Sequence, residues 1–157
     1  MALPNKIDLD SFEGFVVSVE SRLREALSAT LGTELGREAT ADAMAYAWEH
    51  WPRIRDMENP AGYLYVLGRD RGRRMGRLRR RVTLMPVDTE RIPWVEPLLP
   101  DALARLSEQQ RIVVMLLHCF EWTMSEVAEL LGISKSTVQS HDDRGMTRLR
   151  GRMGASQ

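Results

Sequence analysis

From Phe12 the apolar side chains return at Phe15, Val16, Val19, Leu23, Ala26 and Leu27, a three-and-four spacing that places them on one helix face. Asp10 followed by Glu13 supplies a capping box at the start of that helix. Gly32 and Gly36 flank a short break, after which a second helix is predicted to about His50. It buries Ala39, Met44, Ala47 and Trp48, and Pro52 stops it. Asn59 and Pro60 open a third helix, an N-cap followed by proline at the first helical position. That helix carries Tyr63, Leu64, Leu67 and Met75 and ends in a run of arginines. Gly68, Gly72 and Gly76 recur along it every fourth residue. Each costs about 1 kcal/mol relative to alanine, so its C-terminal half is expected to fray when unbound.

Residues 82–99 change character, because Pro86, Pro93 and Pro97, with Pro100 just beyond, break any helical period. Beyond them Asp101–Leu106 makes a turn or two of helix. Ser107 with Gln110 caps a helix from about Glu108 to Phe120, and Thr123 with Glu126 caps another over Met124–Leu131. Gly132 ends it, and Ser134 caps a last helix to about Arg150. No segment alternates as a strand does. The expected fold class is all-α: two small helical domains, 9–81 and 100–152, joined by a proline-containing linker over 82–99.

Composition narrows the class without naming it. With 43% hydrophobic and 28% charged residues in 157, the chain reads as globular rather than disordered. No apolar run approaches the ~20 residues that span a bilayer, which predicts no membrane insertion. A single cysteine, Cys119, rules out an internal disulfide framework and fits the cytoplasm. Within the run Val113–Phe120 it reads as a small buried hydrophobe. His50, His118 and His141 are far apart and lack metal-ligand spacing, and no phosphate loop or activated nucleophile is present. The reading is of a protein that is not an enzyme and has no cofactor and no metal.

The charge balance is informative only when divided. Lys+Arg and Asp+Glu both number 22. Residues 1–68 carry six basic and eleven acidic groups, whereas 69–81 carry eight arginines against Asp70 alone. The rest has eight basic and ten acidic groups. One intensely basic segment lies hidden in a neutral average, and such density points to nucleic acid.

The stretch 124–150, MSEVAELLGISKSTVQSHDDRGMTRLR, has the layout of a helix-turn-helix. Val127, Ala128 and Leu131 face the core, Ala128 being small where two helices cross. Gly132 permits the left-handed turn, Ile133 fills the gap behind it, and Val138 and Leu149 anchor the second helix. In that motif the N-terminal part of the second helix meets base edges in the major groove. Lys135, Ser136 and Thr137 are the natural backbone contacts, with Ser140 beside them. Gln139, His141 and Arg144 reach further and suit base reading. Asp142 and Asp143 are expected to point away from phosphates or to meet a cytosine amino group. Capped helical hairpins also occur in ordinary bundles, but the hydroxyl-rich entry favours DNA.

The run LSEQQRIVVMLLHCFEWTMSEVAELLGISKSTVQSHDDRGMTRLR strongly resembles region 4 of extracytoplasmic-function sigma factors. A GISKSTVQSH core is also similar to helix-turn-helix regulators of the quorum-sensing type. The N-terminal half separates the two: SFEGFVVSVESRLREAL, GREATADAMAYAWEHWPRI and NPAGYLYVLGRDRGRRMGRLRRR follow the order of sigma region 2. The resemblance covers about residues 9–151.

It implies partners in core RNA polymerase and promoter DNA, and it makes room for an anti-sigma factor. The C-terminal domain would read the −35 element through Lys135, Ser136, Thr137, Gln139, Ser140, His141 and Arg144. The helix bearing Glu38 and Asp42 matches the surface that docks on core polymerase. The third helix matches the part that meets the −10 element as strands separate, with Trp51 and Tyr65 as stacking candidates. Arg69, Arg73, Arg74 and Arg77 are the candidates for phosphates there. Trp48 reads as core rather than as a base platform.

The sequence departs from the family pattern at three places. Ala41 stands where glutamine is usual, Asp70 where asparagine is usual, and Arg74 at a position often occupied by aspartate. These bear on core binding and promoter melting rather than on the fold. Two rival readings stay open: a helix-turn-helix regulator independent of polymerase, and a degenerate sigma-like module that docks without opening promoters.

Overall fold

The computed structural model of the protein describes residues 11–82 and 99–154. Eight α-helices run through them: α1 Phe12–Leu31, α2 Thr33–Glu49, α3 Trp51–Arg55, α4 Pro60–Val82, α5 Leu99–Ala104, α6 Glu108–Val114, α7 Met124–Leu131 and α8 Lys135–Gly154. No strand occurs among the described residues, so the all-α expectation holds. Most of the expected linker, residues 83–98, lies outside the described residues, as does Asp10.

The N-cap of α1 is Ser11, whose hydroxyl accepts the Gly14 N–H at 3.0 Å. The apolar face then buries Phe15, Leu23, Ala26 and Leu27 as the spacing predicts. A single left-handed residue, Gly32 (φ 91°), turns the chain into α2. α1 and α2 pack along each other and α4 lies across both.

The glycines of α4 occupy that crossing. A Cβ on Gly68 would lie 2.8 Å from Leu27 Cδ1, and one on Gly72 would lie 2.3 Å from Leu31 Cδ1. What reads in sequence as a propensity cost is therefore close helix approach. α4 stays helical to Val82.

Three further expectations need correcting. Pro52 does not end α2; it sits in the first turn of α3, where its missing N–H costs nothing. Trp48 is 62% exposed, its ring edge-on to Phe12 at 5.0 Å, while Ala39, Ala43 and Ala47 fill the α2 face that meets the core. Small alanines let α1 and α4 come too close for an indole between them. Leu131 packs half-buried against the core as expected, but Leu130 beside it is the more deeply buried leucine at the end of α7. Cys119 is exposed, because α6 widens into a π-helical turn over Met115–Cys119 that shifts the register of everything after it. Leu116 stays buried and the thiol swings out; partial burial still pushes its pKa up.

The C-terminal helices gather on α8, which packs against α5, α6 and α7. Gly145 makes the α6 crossing, 2.7 Å from Val114 Cγ2 for a would-be Cβ. One continuous apolar cluster joins Leu23, Leu27, Ile54 and Leu64 to Ile112, Leu116, Trp122, Val127 and Val138. The two halves of the chain thus share a core.

Candidate nucleic-acid interface

Local sequence chemistry builds the helix-turn-helix. The Thr123 N–H donates to Glu126 Oε2 (2.8 Å) and the Glu126 N–H donates to Thr123 Oγ1 (3.2 Å), a complete capping box. Those bonds, led by the Thr123 backbone N–H and joined by Arg22, hold the Glu126 carboxyl below its ordinary pKa. Gly132 adopts φ 66°, and the Ile133 N–H returns to the Ala128 carbonyl at 3.1 Å. Ser134 then caps α8 by accepting the Thr137 N–H at 3.1 Å, while its hydroxyl bonds Ser136 and Thr137 at 2.9 and 2.8 Å.

Val138 and Leu149 are buried, which turns the opposite face of α8 outward. Replacing Ser134 with alanine is expected to lower stability by about 1 kcal/mol and to loosen this entry. Amide exchange in the first turn of α8, faster than in α7, would register it.

The expected contact residues lie along the first turns of α8 but differ in freedom. Lys135, Ser136, Gln139 and Arg144 are exposed; Thr137, Ser140 and His141 are half-buried. Gln139 Nε2 is tied to Asp143 Oδ1 at 2.9 Å. His141 Nδ1 is buried with no hydrogen-bond partner, so only Nε2 of that ring is left for a ligand. Arg144 lines a shallow groove of about 290 Å³ with Asp143, Thr147 and Arg148. Asp142 is not on this face at all. It turns inward, and His118 Nε2 lies 2.8 Å from its Oδ1, so the helix surface carries one carboxylate fewer than the sequence suggested.

On the other half, α4 aligns its arginines with the acidic groups of α2. Arg71 pairs with Asp42 at 2.9 Å and Arg79 pairs with Glu38, whose pKa that hydrogen bond lowers. Both residues expected to dock on polymerase are therefore already engaged within the chain. Arg73 pairs with Glu108, and Arg69 stacks 5.9 Å from the Tyr65 ring centroid. Arg74 and Arg77 are exposed, with no partner among the described residues.

The stacking candidates are less available than their positions imply. Tyr65 is 2% exposed, its hydroxyl 2.9 Å from Thr30 Oγ1, and burial pushes its pKa up. Trp51 packs on Phe12 and Phe15, at 5.5 and 5.0 Å between centroids.

A different aromatic group is better presented. Tyr46 and Tyr63 bring their hydroxyls to 3.4 Å, and Arg53 donates to both, at 3.1 and 3.0 Å. His50 stacks on Tyr46 at 4.1 Å and Arg71 lies over the same ring at 4.9 Å. The contact with Tyr46 raises the Tyr63 pKa, so this phenol stays a neutral donor. The sequence reading missed this group. Its one signal is the i, i+4 spacing of Tyr46 and His50, which says nothing about Tyr63 or Arg53.

Comparison with known proteins locates both halves. Residues 98–149 match the family model described as Sigma-70, region 4. The RNA polymerase sigma factor FliA of Pseudomonas aeruginosa is 38% identical over 55 residues, 35% of this chain and 22% of that protein. The match thus spans about a fifth of that curated relative. The sigma factor RpoE of Bartonella quintana, solved in complex with the anti-sigma factor NepR, superposes with a TM-score of 0.61 at 20% identity, covering 93% of this chain and 98% of that one.

The chain has a sigma-factor fold. Within it the region 4 match covers α5, α6, α7 and most of α8, and so includes the helices that build the exposed entry at Ser134. The arginine-bearing α4 falls in the half that the RpoE superposition adds. Among the described residues no helix is long and apolar enough to cross a membrane.

Proposed function

We propose that this protein is an RNA polymerase sigma factor of the extracytoplasmic-function type, a non-catalytic cytoplasmic protein that directs core polymerase to promoters. The observation that carries the reading is the combination, in one chain, of a region 4 match on a helix-turn-helix and an arginine-rich helix in the other half. On this reading 9–81 and 100–152 are separate functional domains around the linker 82–99. Lys135, Ser136 and Thr137 position α8 on phosphates; Gln139, Arg144 and the Nε2 edge of His141 read bases of the −35 duplex.

Arg69, Arg74 and Arg77 track phosphates near the −10 element, and Arg73 joins them once free of Glu108. The half-buried Tyr46 and Tyr63, held by the exposed Arg53, supply the rings for unpaired bases in place of the buried Tyr65. His50 and Arg71 give up the Tyr46 ring to a base. Glu38 and Asp42 serve core docking by exchanging their arginine partners for polymerase groups. An anti-sigma protein is the regulator expected on this reading.

Run-off transcription with purified core polymerase, with and without the protein, tests the proposal on genomic DNA fragments. Discrete transcripts that require the protein are expected. Core binding without transcripts would favour the degenerate docking module, for which the departures at Ala41, Asp70 and Arg74 speak. Specific duplex binding without core binding would make it a polymerase-independent regulator.

A further inference from the structure

A cavity of about 340 Å³ is lined by residues of α1, α2, α4 and α6. Its size falls at the lower end of the range that takes small ligands, roughly 300–1,000 Å³. Leu31 and Leu35 give it an apolar side. Gly72 and Gly76 of α4 lie against those leucines, and a Cβ at Gly76 would stand 3.1 Å from Leu35 Cδ1. Arginine supplies most of the rest: Arg73 and Arg77, one turn apart on α4, and Arg111 from α6. Glu108 is the one carboxylate among these lining residues, so three positive groups stand against a single negative one.

The chain itself makes little use of the three guanidinium groups. Arg77 is exposed, with no partner among the described residues. Arg111 reaches the Thr30 carbonyl at a long 3.4 Å. Arg73 pairs with Glu108, but the two side chains are 39% and 32% exposed, so water screens the pair and holds its worth down.

We infer that this cavity binds a small anion carrying two or more linked phosphoryl groups, held by Arg73, Arg77 and Arg111. A guanidinium fork meets the oxygens of a phosphoryl group in pairs. Three forks from two helices suit a chain of phosphates better than a single one. Arg111 decides for a small ligand. It stands on α6, so an anion that uses it must bridge the α4 and α6 walls of the cavity. A nucleic-acid strand tracking the exposed Arg74 and Arg77 along α4 needs nothing from α6. The leucine side leaves an apolar surface beside the phosphates, which suits the base of a nucleoside diphosphate. Glu108 opposes any such anion, and its removal separates this site from general basicity. The inference goes beyond the sigma-factor reading and does not depend on it.

Calorimetric titration of the full-length protein with pyrophosphate, and separately with adenosine diphosphate, tests it at fixed ionic strength without divalent cations. Saturable binding is expected. Arg111→Gln is expected to weaken it about tenfold, as the loss of a charged hydrogen bond does. Arg105→Gln removes the same charge from the same half, outside the cavity, and is expected to change it by less than about twofold. Glu108→Gln is expected to tighten binding about threefold, a gain that a damaged fold cannot produce.

Titration with an oligothymidylate separates a free diphosphate from a nucleic-acid backbone, since its affinity is expected to be indifferent to Arg111→Gln. Tighter binding of adenosine diphosphate than of pyrophosphate would put the base against Leu31 and Leu35. Absence of saturable binding, equal losses at Arg111 and Arg105, or a loss with Glu108→Gln would each overturn the site. An oligothymidylate affinity that falls with Arg111→Gln in the same proportion would overturn the small ligand in favour of a strand.

Discussion

Gly36→Ala is expected to lower stability by about 1–3 kcal/mol, read as a fall in the urea midpoint with an unchanged slope. A Cβ at Gly36 would stand 2.5 Å from both Cα and N of Ser28. These are backbone atoms of α1, so no rotamer change relieves the contact. The helices must move apart, yet Gly32 joins them within one residue and Leu23, Ala26 and Leu27 are fully buried nearby. Helix propensity pulls the other way, since alanine gains about 1 kcal/mol over glycine inside a helix. Overpacking wins because the obstacle is main chain.

Gly151→Ala is the control that fixes the sign. Gly151 lies in α8, exposed, with nothing within 4 Å of a would-be Cβ. There only the propensity term remains, and a gain of about 0.4–1 kcal/mol is expected. Equal effects at the two glycines would mean that α1 and α2 do not approach as closely as described.

Much of the fold was legible because its punctuation is local. Asn59 and Pro60, the Thr123–Glu126 box, Gly132 and Ser134 each act within four residues, and each does in three dimensions what its spacing announced. Quantities set by distant partners were not legible. The glycines of α4 looked like weak helix until Leu27 and Leu31 were seen against them.

Trp48 looked like core because it shares a helix face with alanines, and only the closeness of the neighbouring helices expels it. The π-helical turn leaves no mark in a hydrophobic period, so the fate of Cys119 could not be read from the run around it. At the candidate interface the residue types were legible but their commitments were not. Asp142, Arg73, Glu38 and Asp42 are all engaged by groups between 24 and 41 residues away in sequence.

Arg144→Ala is expected to weaken holoenzyme binding to the −35 duplex by about 1–3 kcal/mol, concentrated on one base pair. The proposed promoter from run-off transcripts supplies the duplex, and single-base variants of it supply the comparison. Arg144 is exposed on α8 and bonded to no neighbour among the described residues, so its fork pays no cost of leaving a partner.

Lys135→Ala, about two and a half turns nearer the N-terminus of α8, is expected to weaken all duplexes alike and to reduce the salt slope by about one. His141 stands between these cases. With Nδ1 sealed from solvent, its ring can offer Nε2 alone, so His141→Asn should cost less than the loss of a two-pronged contact. Should Arg144→Ala weaken every sequence equally, its guanidinium would belong with Lys135 on the phosphates. Base reading would then fall to Gln139, which must first release Asp143.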